Sequence, residues 1–123
     1  MLAVFRPDGE ATLHVDASRL KGLGFALLQE QRGVQRLITC GSRFLSPTER
    51  RYAMVELELL AAVWAANKTR IYMFGRPTKL ATDHAPLVDI INEKCLDQIS
   101  NPRLLRLKEK LLPFLFVVSK AAV

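Results

Sequence analysis

A long helical pattern occupies the middle of the chain, and it constrains the fold more than any other feature. Residues 46–49 (SPTE) have the composition of a helix start, in which Ser46 caps the helix and Glu49 closes a capping box. No Gly or Pro interrupts the pattern before Gly75, so we predict a helix that runs to about Asn67. A helix of this length between two groups of strands is typical of a crossover connection, which joins parallel strands.

Strand-like runs lie on both sides of this helix. Three of them precede it: residues 11–16, residues 25–29, and a strand that begins with residues 36–40 and runs toward Phe44. Short turns separate them, which predicts an antiparallel meander. Residues 78–82 follow the helix as a fourth strand, which the crossover can place parallel to the first strand. Residues 114–118 (FLFVV) form the fifth predicted strand.

Two further helices are predicted in the second half of the chain. Residues 86–92 form a short one, and a longer one begins at Asn101-Pro102 and runs to about Leu112. The order βββαβααβ predicts an α/β fold with a mixed sheet and flanking helices. With 123 residues and no internal linker, we expect residues 1–123 to form a single domain.

The composition favours an intracellular protein but leaves its partner open. Eighteen Lys and Arg against 12 Asp and Glu give a net charge of +6. This charge suits a protein that acts on a polyanion, but from charge alone a protein that is merely kept soluble by its charge is the more common case. Cys40 and Cys95 lack metal-ligand spacing and do not indicate a disulfide framework. Without a membrane span or a signal peptide, we expect a soluble cytoplasmic or nuclear protein that is not secreted.

Three acids follow or lie within these elements at places where the fold can bring them together. Asp16 (in LHVDAS) and Asp83 (in LATDHAPL) follow the first and fourth strands, and Glu58 (in VELELLAA) lies in the long helix. Ligand sites in such sheets gather at the carboxyl ends of strands, and carboxylate oxygens suit Mg²⁺. The alternatives are local: Asp16 can start a turn, and Asp83 can cap the helix that begins near residue 86.

Glu56 competes with Glu58 for the helical position. Residues two positions apart on a helix differ by about 200° of rotation, so Glu56 and Glu58 cannot both face one site. The side of the helix that carries Glu58 is lined by alanines, which allow close approach to a sheet, whereas the Glu56 side is bulkier. We therefore favour Glu58 and retain Glu56 as the alternative.

Four residues are candidate contacts to nucleic acid. Ser18 and His84 lie close in sequence to the two aspartates, and Arg103 and Arg106 lie at near-helical spacing. The alternative for His84 is capping or packing, and the alternative for the two arginines is a solvated helix face.

The motifs LHVDASRLKGLGFALLQ, CGSRFLSPTERRYAMVELELLAAVWA, TDHAPL and NPRLLRLKEKL occur in this order. In these motifs the chain resembles the ribonuclease H domain of gypsy-class retrotransposon reverse transcriptases over nearly its whole length. The resemblance implies an RNase H-like fold with a five-stranded mixed sheet. It also implies cleavage of the RNA strand of RNA–DNA hybrids with two Mg²⁺ or Mn²⁺ ions.

The resemblance assigns a role to each of the three acids. It implies that Asp16 bridges both ions and that Glu58 and Asp83 each hold mainly one. It also implies a reverse transcriptase polymerase domain as a partner. We expect that this domain is absent from the chain, which is too short for it and contains no Tyr-x-Asp-Asp motif.

The chain departs from the family pattern after the fifth strand. Family members continue into a helix that carries a fourth acid, whereas no Asp or Glu follows Glu109 in this chain. We therefore expect a truncated C-terminal helix, a weaker second ion and reduced activity. The alternative function is an inactive remnant that binds nucleic acid or a protein partner. A transposase or integrase core ranks lower, because that group places its last acid on a late helix.

Overall fold

The computed structural model describes residues 2–82, 88, 91 and 101–120. Its strands are β1 (Ala11–Ser18), β2 (Gly22–Gln31), β3 (Val34–Arg43), β4 (Pro77–Thr82) and β5 (Leu115–Lys120). They form one sheet in the order β3-β2-β1-β4-β5. The first three strands pair antiparallel, whereas β4 lies parallel to both β1 and β5. The predicted meander and the parallel crossover are both confirmed.

Three α-helices accompany the sheet within the described ranges: α1 (Met54–Lys68), the one-turn α2 (Arg70–Met73) and α3 (Pro102–Leu111). The predicted α/β class with a mixed sheet and flanking helices is therefore confirmed. The helix predicted over residues 86–92 lies outside the described residues, apart from Val88 and Ile91, which are helical and half-buried. None of the described helices is long and apolar enough to span a membrane.

The long helix begins later than the sequence predicts. The capping box forms, because the Ser46 N–H donates to Glu49 Oε1 at 2.9 Å and the Glu49 N–H donates to Ser46 Oγ at 3.2 Å. However, it starts only a single 3₁₀ turn, Glu49–Arg51. Tyr52 and Ala53 are extended, with ψ of 147° and 155°, and this break separates the turn from α1. Glu49 also accepts two hydrogen bonds from Arg43, so its carboxylate ties the turn to the end of β3.

The core lies between α1 and one face of the sheet. Leu57, Leu59 and four alanines of α1 are fully buried. On the sheet, Leu13, Val15 and Ala17 of β1 contribute to the same core. Because side chains alternate along a strand, the residues between them project from the opposite face.

A buried glutamine fixes the segment that leads into β1. Gln29 of β2 is 0% exposed, and its side-chain amide bonds the N–H and the carbonyl of Arg6 and the carbonyl of Gly9. Gln31 extends this network by donating to Gln29 Oε1 at 2.9 Å and to the carbonyl of Val4 at 2.7 Å. These bonds satisfy backbone groups of residues 4–9, which lie outside the sheet ladders.

The turn between β2 and β3 contains an unusual backbone conformation. Arg32 has φ of 54° and Gly33 has φ of 76°. Two consecutive residues with positive φ match the hairpin turn that prefers Asn-Gly or Gly-Gly, since a side chain in this region is strained. An arginine at the first of these positions is therefore tolerated at a cost.

Gln29→Leu is expected to destabilise the protein by about 3 kcal/mol, because three backbone groups lose their partner in a buried setting. The measurement is the free energy of unfolding in urea. Gln35→Leu, at an exposed position of β3, is the matched control and should change the value by less than about 0.5 kcal/mol. Equal values for the two variants would show that the amide network contributes nothing to stability.

Candidate functional site

Asp16 lies inside β1 rather than at its end. The strand continues to Ser18, so the predicted strand end was wrong by two residues, because the pairing with β2 continues to Ser18 opposite Gly22. Asp16 is exposed, in contrast to its buried neighbours Val15 and Ala17. It therefore projects from the sheet face opposite the α1 core. Its Oδ1 accepts a hydrogen bond from the Ala17 N–H at 3.0 Å.

The Asp16 carboxylate lines an open cavity of about 250 Å³. The cavity extends over β1, β2 and the end of β4, and its lining includes His14, Gly24, Ala26 and Ala81. Gly24 is the cross-strand partner of Asp16. Among the described residues, a Cβ at Gly24 would approach only the Gly41 carbonyl, at 3.8 Å, so these residues leave space beside Asp16. This face of the sheet can admit a ligand next to the carboxylate.

His14 shares the cavity with Asp16, and sequence reasoning assigned it no chemical role. The alternation of side chains along β1 could have indicated this position, since residues 14 and 16 lie on the same face of the strand. Across the parallel pair, His14 stands opposite Ala81 of β4.

Glu58 lies in α1 and is 5% exposed. The N-terminal end of this helix is tied to the end of β1, because Arg19 Nη2, which follows β1, donates to the Tyr52 carbonyl at 2.7 Å. The same end of α1 carries Glu58 in its second turn. Glu58 thus lies on the helix whose beginning is held beside the strand of Asp16. However, α1 covers the other face of the sheet, and Glu58 is not among the described residues that line the Asp16 cavity.

Glu56 is occupied by structural contacts. Its Oε1 accepts from the Ala53 N–H at 2.7 Å, and Asn101 and Arg103 donate to the carboxylate at 3.3 and 3.2 Å. Burial alone would raise the pKa of Glu56, but the hydrogen bonds from Ala53, Asn101 and Arg103 together hold the pKa below its ordinary value. Glu56 therefore joins the beginning of α1 to the beginning of α3.

The four candidate nucleic-acid contacts have different environments. Arg103 bonds Glu56 and stacks over the Tyr52 ring, with its guanidinium carbon 4.1 Å from the ring centroid. Arg106 is exposed on α3, and Ser18 Oγ accepts from the Lys21 N–H at 3.1 Å within a turn. His84 lies outside the described residues. Their role in binding stays a prediction.

Asp83, the third predicted acid, also lies outside the described residues. It follows Thr82, the last residue of β4, in the sequence. Among the described residues, no group of three or more His, Cys, Asp or Glu side chains is placed to hold a metal ion. Asp16 and Glu58 are thus the two predicted ligands whose positions are described.

Glu56→Gln is expected to lower the free energy of unfolding at pH 7 by about 1–2 kcal/mol, because charge-assisted hydrogen bonds join two helix ends there. The pKa of Glu56 is lowered in the folded state, so this stabilisation is complete above the unfolded pKa and is lost as pH falls through the folded pKa. Urea unfolding in a series from pH 7 to pH 3 should show the difference from wild type shrinking. Glu109→Gln, which removes an exposed acid of α3, is the control. A difference independent of pH would contradict this role of Glu56.

Comparisons with known proteins identify the family. Residues 6–114 match the family model for the RNase H-like domain found in reverse transcriptase. The Pol polyprotein of the transposon opus from Drosophila melanogaster is 42% identical over 76 residues, which are 61% of this chain and 8% of that protein. The Pol polyprotein of the transposon gypsy from the same organism is 41% identical over 83 residues, or 67% of this chain and 8% of that protein. The chain thus spans less than a tenth of the length of these relatives.

Solved structures show the same fold at low sequence identity. The foamy viral protease-reverse transcriptase in complex with RNA/DNA hybrid is similar with a TM-score of 0.72 and 15% identity, covering 99% of this chain and 16% of that chain. LC11-RNase H1, isolated from compost, has a TM-score of 0.65 and 11% identity, with coverage of 91% and 84%. With the family model matched from residue 6 to residue 114, the chain belongs to the RNase H-like domains of reverse transcriptases.

Proposed function

We propose that the chain is a metal-dependent endonuclease that cleaves the RNA strand of RNA–DNA hybrids. The observation that carries the proposal is the placement of Asp16 beside an open cavity on a strand whose end is tied to the helix of Glu58. The family membership and the net charge of +6 support it, since a basic domain attracts a polyanion.

Asp16, Glu58 and Asp83 would hold the ions in this proposal. Carboxylate oxygens fit Mg²⁺ or Mn²⁺, which are hard cations. Asp16 keeps one oxygen available beside the cavity, because only Oδ1 is engaged by the Ala17 N–H among the described contacts. Bound divalent ions activate water and stabilise the leaving oxygen in phosphodiester hydrolysis.

The choice of Glu58 over Glu56 gains support from the contacts of Glu56. A carboxylate that accepts hydrogen bonds from Ala53, Asn101 and Arg103 has its oxygens engaged within the protein. Glu56 thus has a structural role that accounts for its burial. We therefore propose Glu58 as the helical metal ligand.

In the longer protein, we propose that this domain acts beside a polymerase domain. The curated relatives are Pol polyproteins, and a structural neighbour is a protease-reverse transcriptase in complex with RNA/DNA hybrid. The hybrid substrate is the product of the polymerase reaction, so the two activities would act in succession on one nucleic acid.

Binding of the hybrid without cleavage is the second candidate function. Within the part of the chain that the structure describes, no group of three or more His, Cys, Asp or Glu side chains is placed to hold a metal ion, which motivates this alternative. Hybrid binding that weakens with salt, together with the absence of cleavage in Mg²⁺ and in Mn²⁺, would favour this function over the first.

We expect cleavage of a labelled RNA–DNA hybrid to fall by more than about 100-fold in each of three variants, Asp16→Asn, Glu58→Gln and Asp83→Asn. Mutating residues that only orient metal ligands already lowers activity roughly 10- to 100-fold, so loss of a ligand should cost more. The measurement is single-turnover cleavage in Mg²⁺ and in Mn²⁺.

Glu56→Gln is the matched control for Glu58→Gln, since it removes an acid two residues away in the same helix. At a temperature where circular dichroism shows that it is folded, it should lose much less cleavage than Glu58→Gln, because it weakens the attachment of α1 and removes no proposed metal ligand. Unchanged cleavage in Asp83→Asn, or loss of cleavage in Glu56→Gln with retention in Glu58→Gln, would contradict the assignment.

A further inference from the structure

Three arginines converge at the end of the sheet away from Asp16. Arg6 precedes β1, Arg32 is in the β2–β3 turn, and Arg36 is in β3. Together with Ala3 and Gln31 they line a second cavity, of about 190 Å³. We call these three residues the arginine cluster. Gln31 lies seven positions along β2 from Gly24, the partner of Asp16, which corresponds to roughly 23 Å.

The arginine cluster carries positive charge without acidic partners in the described part of the chain. None of the ion pairs found there includes Arg6, Arg32 or Arg36. The described residues that line the cavity include no Asp or Glu. Elsewhere in the described residues, Arg43 and Arg103 are each paired with a glutamate at 2.8 and 3.2 Å. Like charges brought together in this way repel one another, and an anion would relieve the repulsion.

The backbone that carries the arginine cluster is held in place. Both backbone polar groups of Arg6 bond the side chain of Gln29, which is fully buried. Gln31, itself in the cavity lining, is bound to Gln29 and to the Val4 carbonyl. The segment before β1 is thus fixed against β2, and Arg6 is positioned near two residues that are distant in sequence. The side chains of the three arginines are exposed, but a fixed backbone limits the volume that a guanidinium group can reach, which lowers the entropic cost of binding an anion.

The conformation of Arg32 gives independent support. Its φ of 54° lies in the left-handed region, where Asn or Gly would be less strained. Strained positions of this kind point towards a functional constraint. In this hairpin the strained residue is one of the three arginines that line the cavity.

We propose that the arginine cluster is a binding site for a phosphate group. Arginine presents its donors in a planar fork that matches phosphate oxygens, and three arginines without acids favour an anion over a neutral ligand. The phosphate can belong to a nucleic-acid backbone or to a free phosphate or phosphomonoester. The site is independent of the proposed cleavage, because it includes none of the three proposed metal ligands.

The first experiment titrates inorganic phosphate into uniformly ¹⁵N-labelled protein at low ionic strength. We expect saturable amide shifts at residues 31–36 and at Arg6, with chloride at equal ionic strength as the control. In Arg32→Asn/Arg36→Gln these shifts should be lost. The charge-matched control is Arg50→Gln/Arg51→Gln, which alters two arginines outside the cavity and should preserve them.

The folding of the test variant can be checked by a prediction of its own. Asn tolerates the left-handed region better than Arg, and Arg36 is exposed, so Arg32→Asn/Arg36→Gln should unfold at the same temperature as wild type or higher. Loss of phosphate shifts in a variant that is as stable as wild type then reports on the guanidinium groups and not on the fold.

The second experiment identifies the source of the phosphate. Anisotropy of a labelled RNA–DNA hybrid, without divalent ions, is measured as a function of salt. If the source is the nucleic-acid backbone, Arg32→Asn/Arg36→Gln should weaken binding roughly 5- to 20-fold and reduce the salt slope by about 1–2 relative to Arg50→Gln/Arg51→Gln. Equal hybrid affinities, with phosphate shifts still present in wild type, would support a free phosphate or phosphomonoester as the ligand.

Absence of saturable shifts at residues 31–36 in wild type would overturn the proposal, as would equal shifts in the two double variants. Because neither experiment measures cleavage, its outcome does not depend on whether the endonuclease proposal is correct.

Discussion

The position of the first turns of α1 decides the geometry of the whole candidate site. Glu56 fixes this end of the helix to α3 through Asn101 and Arg103, and Arg19 fixes it to the end of β1. Burial of leucines and alanines further along α1 holds the helix on the sheet. The place of Glu58 is therefore decided by contacts on both sides of its turn. Glu56, which is not a metal ligand in our proposal, thus helps to position Glu58, which is.

The sequence predicts the elements of this fold well where a periodic pattern meets clear turn residues. The three-strand meander and the parallel pairing of β4 with β1 follow from element order alone. The start of α1 could not be predicted in this way, because two capping arrangements lie close together in the sequence. One is at Ser46, and in the other Glu56 bonds Ala53. Sequence reasoning could find the first but not the break between them, which depends on the extended backbone at residues 52 and 53.

The candidate site could be predicted from the sequence only in part, because some of its contacts join residues that are far apart in the chain. Spacing on the helix separates Glu56 from Glu58, but the side chains that engage Glu56, Asn101 and Arg103, lie more than 40 positions away. The arginine cluster could not be predicted from the sequence. Arg6 is held near the β2–β3 hairpin by its backbone hydrogen bond to the buried side chain of Gln29. Long-range contacts of this kind leave no local pattern in the chain.

Anomalous diffraction of Mn²⁺ in crystals of this domain would show whether the three carboxylates share divalent ions. We expect manganese peaks beside the Asp16 cavity, with oxygen atoms of Asp16, Glu58 and Asp83 at bonding distance. Manganese bound elsewhere, or a Glu58 carboxylate directed away from Asp16 in fully loaded crystals, would contradict the proposed metal site.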